Sequence, residues 1–145
     1  METNSFYNEI LTYHNAHPMH KHDLEPFTVE LEGLNPTCGD DIFLRLSLKD
    51  NRIEDGAFTG DGCAISQASA DIMLDMIRGK TKEQALHLAD LFIRMIKEGL
   101  TDEEMEELEE AGALQDIRHM PARVKCAVLA WHTLQQALEN GEDPA

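Results

Sequence analysis

Beyond its first residues, the hydrophobic period of this chain changes from two to helical spacing at Gly60-Asp61-Gly62, and that change limits what it can fold into. Upstream, Ile42, Leu44, Leu46 and Leu48 alternate with Phe43, Arg45, Ser47 and Lys49. Alternation of this kind marks a strand with one buried face. Asp50-Asn51 reads as a turn, 52–59 as the returning strand of a hairpin, and 27–32 as a further edge strand. Downstream, Ile65, Ala68, Ile72 and Met76 recur at helical spacing up to Gly79. Thr81 with Gln84, and Thr101 with Glu104, form capping-box patterns that open two more helices. The first of these carries Ala85, Leu88, Phe92 and Met95 on one face. The second is short and acidic, with Asp102-Glu103-Glu104 where the helix dipole favours negative charge. Pro121 starts a last helix with Val124, Val128, Trp131 and Leu138 along one side. A short helix over residues 4–14, with Phe6, Tyr7, Ile10 and Leu11 at helical spacing, precedes the strands. Strands first and helices after predict an α+β fold: a small three-stranded antiparallel sheet with an N-terminal helix and several C-terminal helices packed on it.

The 145 residues suit one domain spanning 1–145, able to bury a core without disulfides. Residues 140–145 read as a frayed tail. Twelve Lys+Arg against 28 Asp+Glu leave a formal charge of −16. Such a surface repels phosphate backbones and anionic membranes, so neither nucleic acid nor membrane is expected as a partner. A basic protein partner is compatible with it, and so is plain solubility. No apolar run approaches the about 18–20 residues a membrane span needs. The polar, acidic start Met1–Asn8 is unlike a signal peptide, and the expected location is cytoplasmic.

The three cysteines, Cys38, Cys63 and Cys126, do not make a disulfide framework. Cys38 and Asp40 share the loop Asn35-Pro36-Thr37-Cys38-Gly39-Asp40, where Pro36 and Gly39 favour a tight turn. On a bent loop a thiol and a carboxylate two residues apart can converge on one ion, and Gly39 is expected to keep the way between them clear. Cys63 follows Gly60-Asp61-Gly62 and opens a helix, whose N-terminus stabilises a thiolate. Cys126 lies about one turn into the last helix, with Arg123 and Lys125 as nearby positive charge. Three thiolates and one carboxylate form a tetrahedral ligand set suited to zinc, and the harder carboxylate suggests an exchangeable site. Three inert thiols, or a purely structural zinc, are the alternative readings of the same residues.

These segments resemble the IscU/NifU N-terminal/SufU family of iron–sulfur cluster assembly proteins. The residues that carry the resemblance are Asn35 to Asp40, Gly60 to Ser66 with Ala68-Ser69-Ala70, and Pro121 to Ala127, within a similarity running from Tyr7 to Leu138. The chain is similar to the SufU branch in having Lys125 where IscU proteins carry a histidine. It also has Met120-Pro121-Ala122-Arg123-Val124-Lys125 in place of their Leu-Pro-Pro-Val-Lys motif, and an added stretch at 98–119. The resemblance implies a Zn2+ ion on Cys38, Asp40, Cys63 and Cys126, and a zinc-dependent sulfurtransferase role. In that role a PLP-dependent, SufS-like cysteine desulfurase docks, one of its histidines replaces Cys38 on the zinc, and Cys38 accepts the persulfide sulfur. Arg123 steadies the freed Cys38 thiolate, and sulfur then passes to downstream cluster-assembly proteins. The alternative within the family is a scaffold holding iron or a 2Fe–2S cluster on the same ligands. A regulator with a structural zinc is a third possibility.

The chain departs from the family in its His-rich run, His14 to His22. These histidines are expected to lie on a solvated loop, with metal binding as the alternative. His87, His119 and His132 are expected on helix surfaces or in ordinary packing, and Trp131 in the core.

Overall fold

The architecture comes from a computed structural model, which describes residues 2–140. α1 (Glu2–Ala16) leads into β1 (Val29–Asn35), β2 (Asp40–Lys49) and β3 (Arg52–Asp61). Then follow α2 (Ala64–Ile77), α3 (Lys82–Lys97), α4 (Asp102–Glu107), a 3-10 segment (Glu109–His119) and α5 (Pro121–Asn140). The strands form one antiparallel sheet in the order β1-β2-β3, as the alternation predicts.

Ile42, Leu44, Leu46 and Leu48 all point to the covered face and are at most 2% exposed. α5 packs over β1 and β2, and α2 packs over β3. The hairpin turns at Asp50 and Asn51, whose φ angles of 52° and 64° suit a two-residue turn with the twist of the strands. β1 runs later than the expected 27–32, because its pairing continues until Asn35 meets Asp40. β3 likewise extends past 59, with Gly60 and Asp61 paired to Ile42 and Asp41. These shifts bring the strand ends right up to the cysteine-bearing segments.

Both expected capping boxes form, at Thr81/Gln84 and at Thr101/Glu104. Trp131 is fully buried and stacks on Phe92, with ring centroids 4.4 Å apart. Its indole N–H donates to Ser69 Oγ, which donates to Ala127 O, so α2 and α5 are hydrogen-bonded beneath the cysteines. Within residues 98–119, Leu108, Ala111, Leu114 and Ile117 are all fully buried. That spacing of three matches the three residues per turn of a 3-10 helix.

The His-rich run departs from the expectation of a solvated loop. His14 and His20 are buried, while His17 and His22 are exposed. His14 lies between two carboxylates, with Nδ1 2.6 Å from Asp71 Oδ2 and Nε2 against Glu110. The backbone N–H groups of Met19 and His20 donate to the other oxygen of Asp71, at 3.0 and 2.8 Å. Pro18 ends α1 nearby, but the turn that follows is anchored on α2 by this buried carboxylate. Each imidazole nitrogen of His14 faces its own carboxylate, an arrangement of an ion-paired histidine rather than a metal ligand. Residues 141–145, most of the expected tail, lie outside the described residues, and Asn140 closes α5.

Candidate metal centre

Three chain segments end at one place. The connector 36–39 joins Asn35 to its register partner Asp40 and carries Cys38, whose N–H donates to Asn35 O at 3.2 Å. Gly39 within it has φ +74°, a conformation that side chains disfavour. A Cβ there would meet nothing within 4 Å. Glycine is therefore needed for backbone conformation, which corrects the expectation that it clears a path between Cys38 and Asp40.

The second segment joins β3 to α2. Cys63 is the N-cap of α2, and its sulfur accepts from Ser66 N–H at 3.4 Å. Here clearance does matter: a Cβ on Gly62 would lie 2.3 Å from Ser66 Oγ and 3.1 Å from Asp40 Oδ1. The third segment is the start of α5, which presents Cys126, fully buried.

The ligand atoms of Cys38, Asp40 and Cys126 lie within 4.8 Å of one another. Cys63 stands beside this trio, its sulfur turned toward its own helix terminus but close enough to hydrogen-bond with the Cys126 thiol. The expected four residues thus meet as a trio and a neighbour. Cys38 is half-buried, at the open side.

Asp40 is fully buried yet held as a carboxylate. Burial would push its carboxyl up, but donors outweigh that and hold it below the usual carboxylate range. They are the backbone of Cys63 and the side chains of Cys126, Ser66 and Asn35. Oδ1 accepts from Cys63 N–H at 2.8 Å and Ser66 O–H at 3.0 Å, and Oδ2 accepts from Asn35 Nδ2 at 3.2 Å. The Cys126 thiol is pushed far up, first by burial, then by hydrogen bonds with Cys38, Asp40 and Cys63 and the charge of Cys63. A buried ionised carboxylate amid three thiols is a site that takes up positive charge, as protons or as a cation. Sulfur and carboxylate donors of this kind fit Zn2+, whose binding displaces the thiol protons.

Arg123 and Lys125 are exposed on the first turns of α5, and among the described residues their side chains make no hydrogen bond or ion pair. At the start of α5 the Cys38 sulfur instead donates to the Ala122 carbonyl, at 3.8 Å. Asn35 and Ser66 had no assigned role in the sequence. Their contacts with Asp40 arise from the β1–β2 register and from the first turn of α2.

The profile of the NifU-like N terminal domain matches residues 6–143. The chain belongs to this family. It is 41% identical over 138 residues to the iron–sulfur cluster assembly scaffold protein IscU of Streptococcus pyogenes serotype M1, covering 94% of this chain and 85% of that one. It is 36% identical over 138 residues to the zinc-dependent sulfurtransferase SufU of Bacillus subtilis (strain 168), covering 95% and 92%. Among solved structures it matches an iron–sulfur cluster assembly scaffold protein for the SUF system from Fervidobacterium islandicum AW-1. That match has a TM-score of 0.86 and 34% identity, over 92% of this chain and 97% of the other. Membership of the IscU/SufU family and its three-stranded fold agree with the resemblance drawn from the cysteine segments. Among the described residues no helix is long and apolar enough to cross a membrane.

Proposed function

We propose that this chain is a zinc-dependent sulfur acceptor of iron–sulfur cluster assembly, taking persulfide sulfur from a cysteine desulfurase onto Cys38. The observation that carries this reading is the convergence of Cys38, Asp40 and Cys126, with Cys38 alone both on a turn and half-exposed. Asp40, Cys63 and Cys126 would hold the ion together with Cys38. Bound zinc keeps thiolates deprotonated at neutral pH and shields them from oxidation.

The protein's own residues account for the rest. Cys126 and Asp40 are fixed by burial, and Cys63 by its helix terminus. Cys38 sits on a four-residue connector with freedom to move toward a docked partner. Its thiolate attacks the outer sulfur of the desulfurase persulfide, the sulfur–sulfur bond there breaks, and the desulfurase cysteine leaves as a thiolate. Arg123, exposed on the first turn of α5 and without an ion-pair partner among the described residues, would steady the freed Cys38 thiolate. Leu34, 59% exposed and just before the cysteine loop, would offer the desulfurase an apolar contact.

The relatives named as scaffolds support a second reading, in which a 2Fe–2S cluster is cargo on the same residues. Metal analysis of the purified protein, run beside the turnover of a SufS-like desulfurase, separates the two. A colourless protein with about one zinc per chain that accelerates the desulfurase is expected. A brown, iron-bearing protein that leaves desulfurase turnover unchanged contradicts the acceptor reading and favours the scaffold.

A further inference from the structure

The four side chains of the centre are not supported alike. Asp40 accepts hydrogen bonds from Cys63 N–H, Ser66 O–H and Asn35 Nδ2. The Cys63 sulfur accepts from Ser66 N–H at 3.4 Å, and the Cys126 sulfur from Asn35 Nδ2 at 3.8 Å. The backbone, amide and hydroxyl donors around the centre leave Cys38 out: its sulfur meets only the Cys126 thiol, whose proton a bound cation displaces, and the carbonyl of Ala122, to which it donates at 3.8 Å. Once Cys38 is a thiolate, that carbonyl presents it with partial negative charge. A donor on a metal-bound side chain draws off charge and fixes its orientation, so the ligand without one is the most nucleophilic and the least restrained.

Asn35 completes this asymmetry. It is buried at the last position of β1, in register with Asp40. Its carboxamide nitrogen serves Asp40 Oδ2 at 3.2 Å and Cys126 Sγ at 3.8 Å together. The orientation follows from chemistry, since an ionised carboxylate only accepts and the amide nitrogen must face it. We infer that Asn35 is a positioning residue that determines which sulfur reacts: by donating to Asp40 and Cys126 at once, it keeps those two on the centre and leaves Cys38 as the ligand that departs. This inference rests on the reading of the centre as a zinc-bearing sulfur acceptor.

The test is alkylation of the zinc-loaded protein with limiting iodoacetamide, each cysteine read by peptide mass spectrometry, alongside the rate of zinc loss to a chelator. In the wild type Cys38 is expected to carry most of the label. In Asn35→Ala, labelling of Cys126 and zinc loss should each rise about tenfold, the effect of one missing hydrogen bond to a charged acceptor. Asn35→Asp keeps the shape but replaces donors with an acceptor, and should shift selectivity further. Leu134→Ala, a cavity in the buried face of α5, should lower the melting temperature without redirecting the label. The inference is overturned if both Asn35 variants keep wild-type selectivity and zinc loss, or if Leu134→Ala redirects the label as much as they do. Should Asn35→Ala not fold, the isosteric Asn35→Asp decides alone. A wild type that holds no zinc, or that is not labelled first on Cys38, contradicts the acceptor reading itself before any variant is compared.

Discussion

At the scale of single residues, Asp40 concentrates the chemistry, because one buried carboxylate touches all three segments that build the centre. It is the one hard donor among sulfurs, and the donors from Cys63, Ser66 and Asn35 hold it on the centre while Cys38 departs. Asp40→Ala removes one of the four donors and is therefore expected to lose zinc to a chelator faster and to transfer sulfur slowly, measured as chelator off-rate and as desulfurase-coupled turnover; wild-type values of both would argue against Asp40 as a ligand. Gly62 lets Asp40 be held so tightly. In Gly62→Ala the new methyl group would displace the Ser66 hydroxyl, costing about 1–3 kcal/mol and weakening zinc retention. A Gly62→Ala protein with unchanged melting temperature and zinc content would show that Ser66 is dispensable. Cys38, Asp40 and Cys63 were legible in the sequence as candidates because each sits in a short run of turn or cap residues, and Cys126 as the third cysteine beside Arg123 and Lys125. Asn35 was not, because its contact with Asp40 depends on a strand register that local composition does not reveal.

At the scale of elements, the alternation of β2 and the two capping boxes were readable because each is a local pattern with a local cause. The strand ends were not, since pairing extends a strand past the point where its own sequence stops alternating. The 3-10 segment was written in the spacing of Leu108, Ala111, Leu114 and Ile117, but a spacing of three also fits one face of an α-helix. The histidine run was the least legible, because burial of His14 needs a carboxylate from α2 and another from the 3-10 segment, far away in sequence. Burial alone would lower the His14 pKa. The hydrogen bonds and charges of Asp71 and Glu110 outweigh it and raise the pKa above the ordinary histidine value. A group raised on folding stabilises fully below its unfolded pKa, and this contribution is lost as pH rises through the folded value. His14→Ala is thus expected to cost about 3 kcal/mol near pH 6, with the gap to the wild type narrowing as pH rises into the alkaline range. Thermal melts of both proteins across that range check it; a gap that widens with pH would contradict the ion-paired assignment.

At the scale of the whole molecule, the fold brings the ends of the sheet and the starts of two helices to one edge, and the centre joins them. A ligand that binds only the folded state shifts the unfolding equilibrium, so zinc should act as a cross-brace between sheet and helices. Removing it with a chelator is expected to lower the melting temperature by about 10 °C, with recovery on adding zinc back. An unchanged melting temperature would place the metal elsewhere. Whether the half-exposed cysteine on the turn receives the sulfur can be tested directly. The zinc-loaded protein is incubated with a SufS-like desulfurase and cysteine, digested without reductant, and its three cysteine peptides are weighed. A mass increase of about 32 Da, one sulfur atom added to a thiol, is expected on the Cys38 peptide and absent in a folded Cys38→Ser variant. The same increase found chiefly on Cys63 or Cys126, or none at all while desulfurase turnover still rises, would contradict sulfur transfer to Cys38.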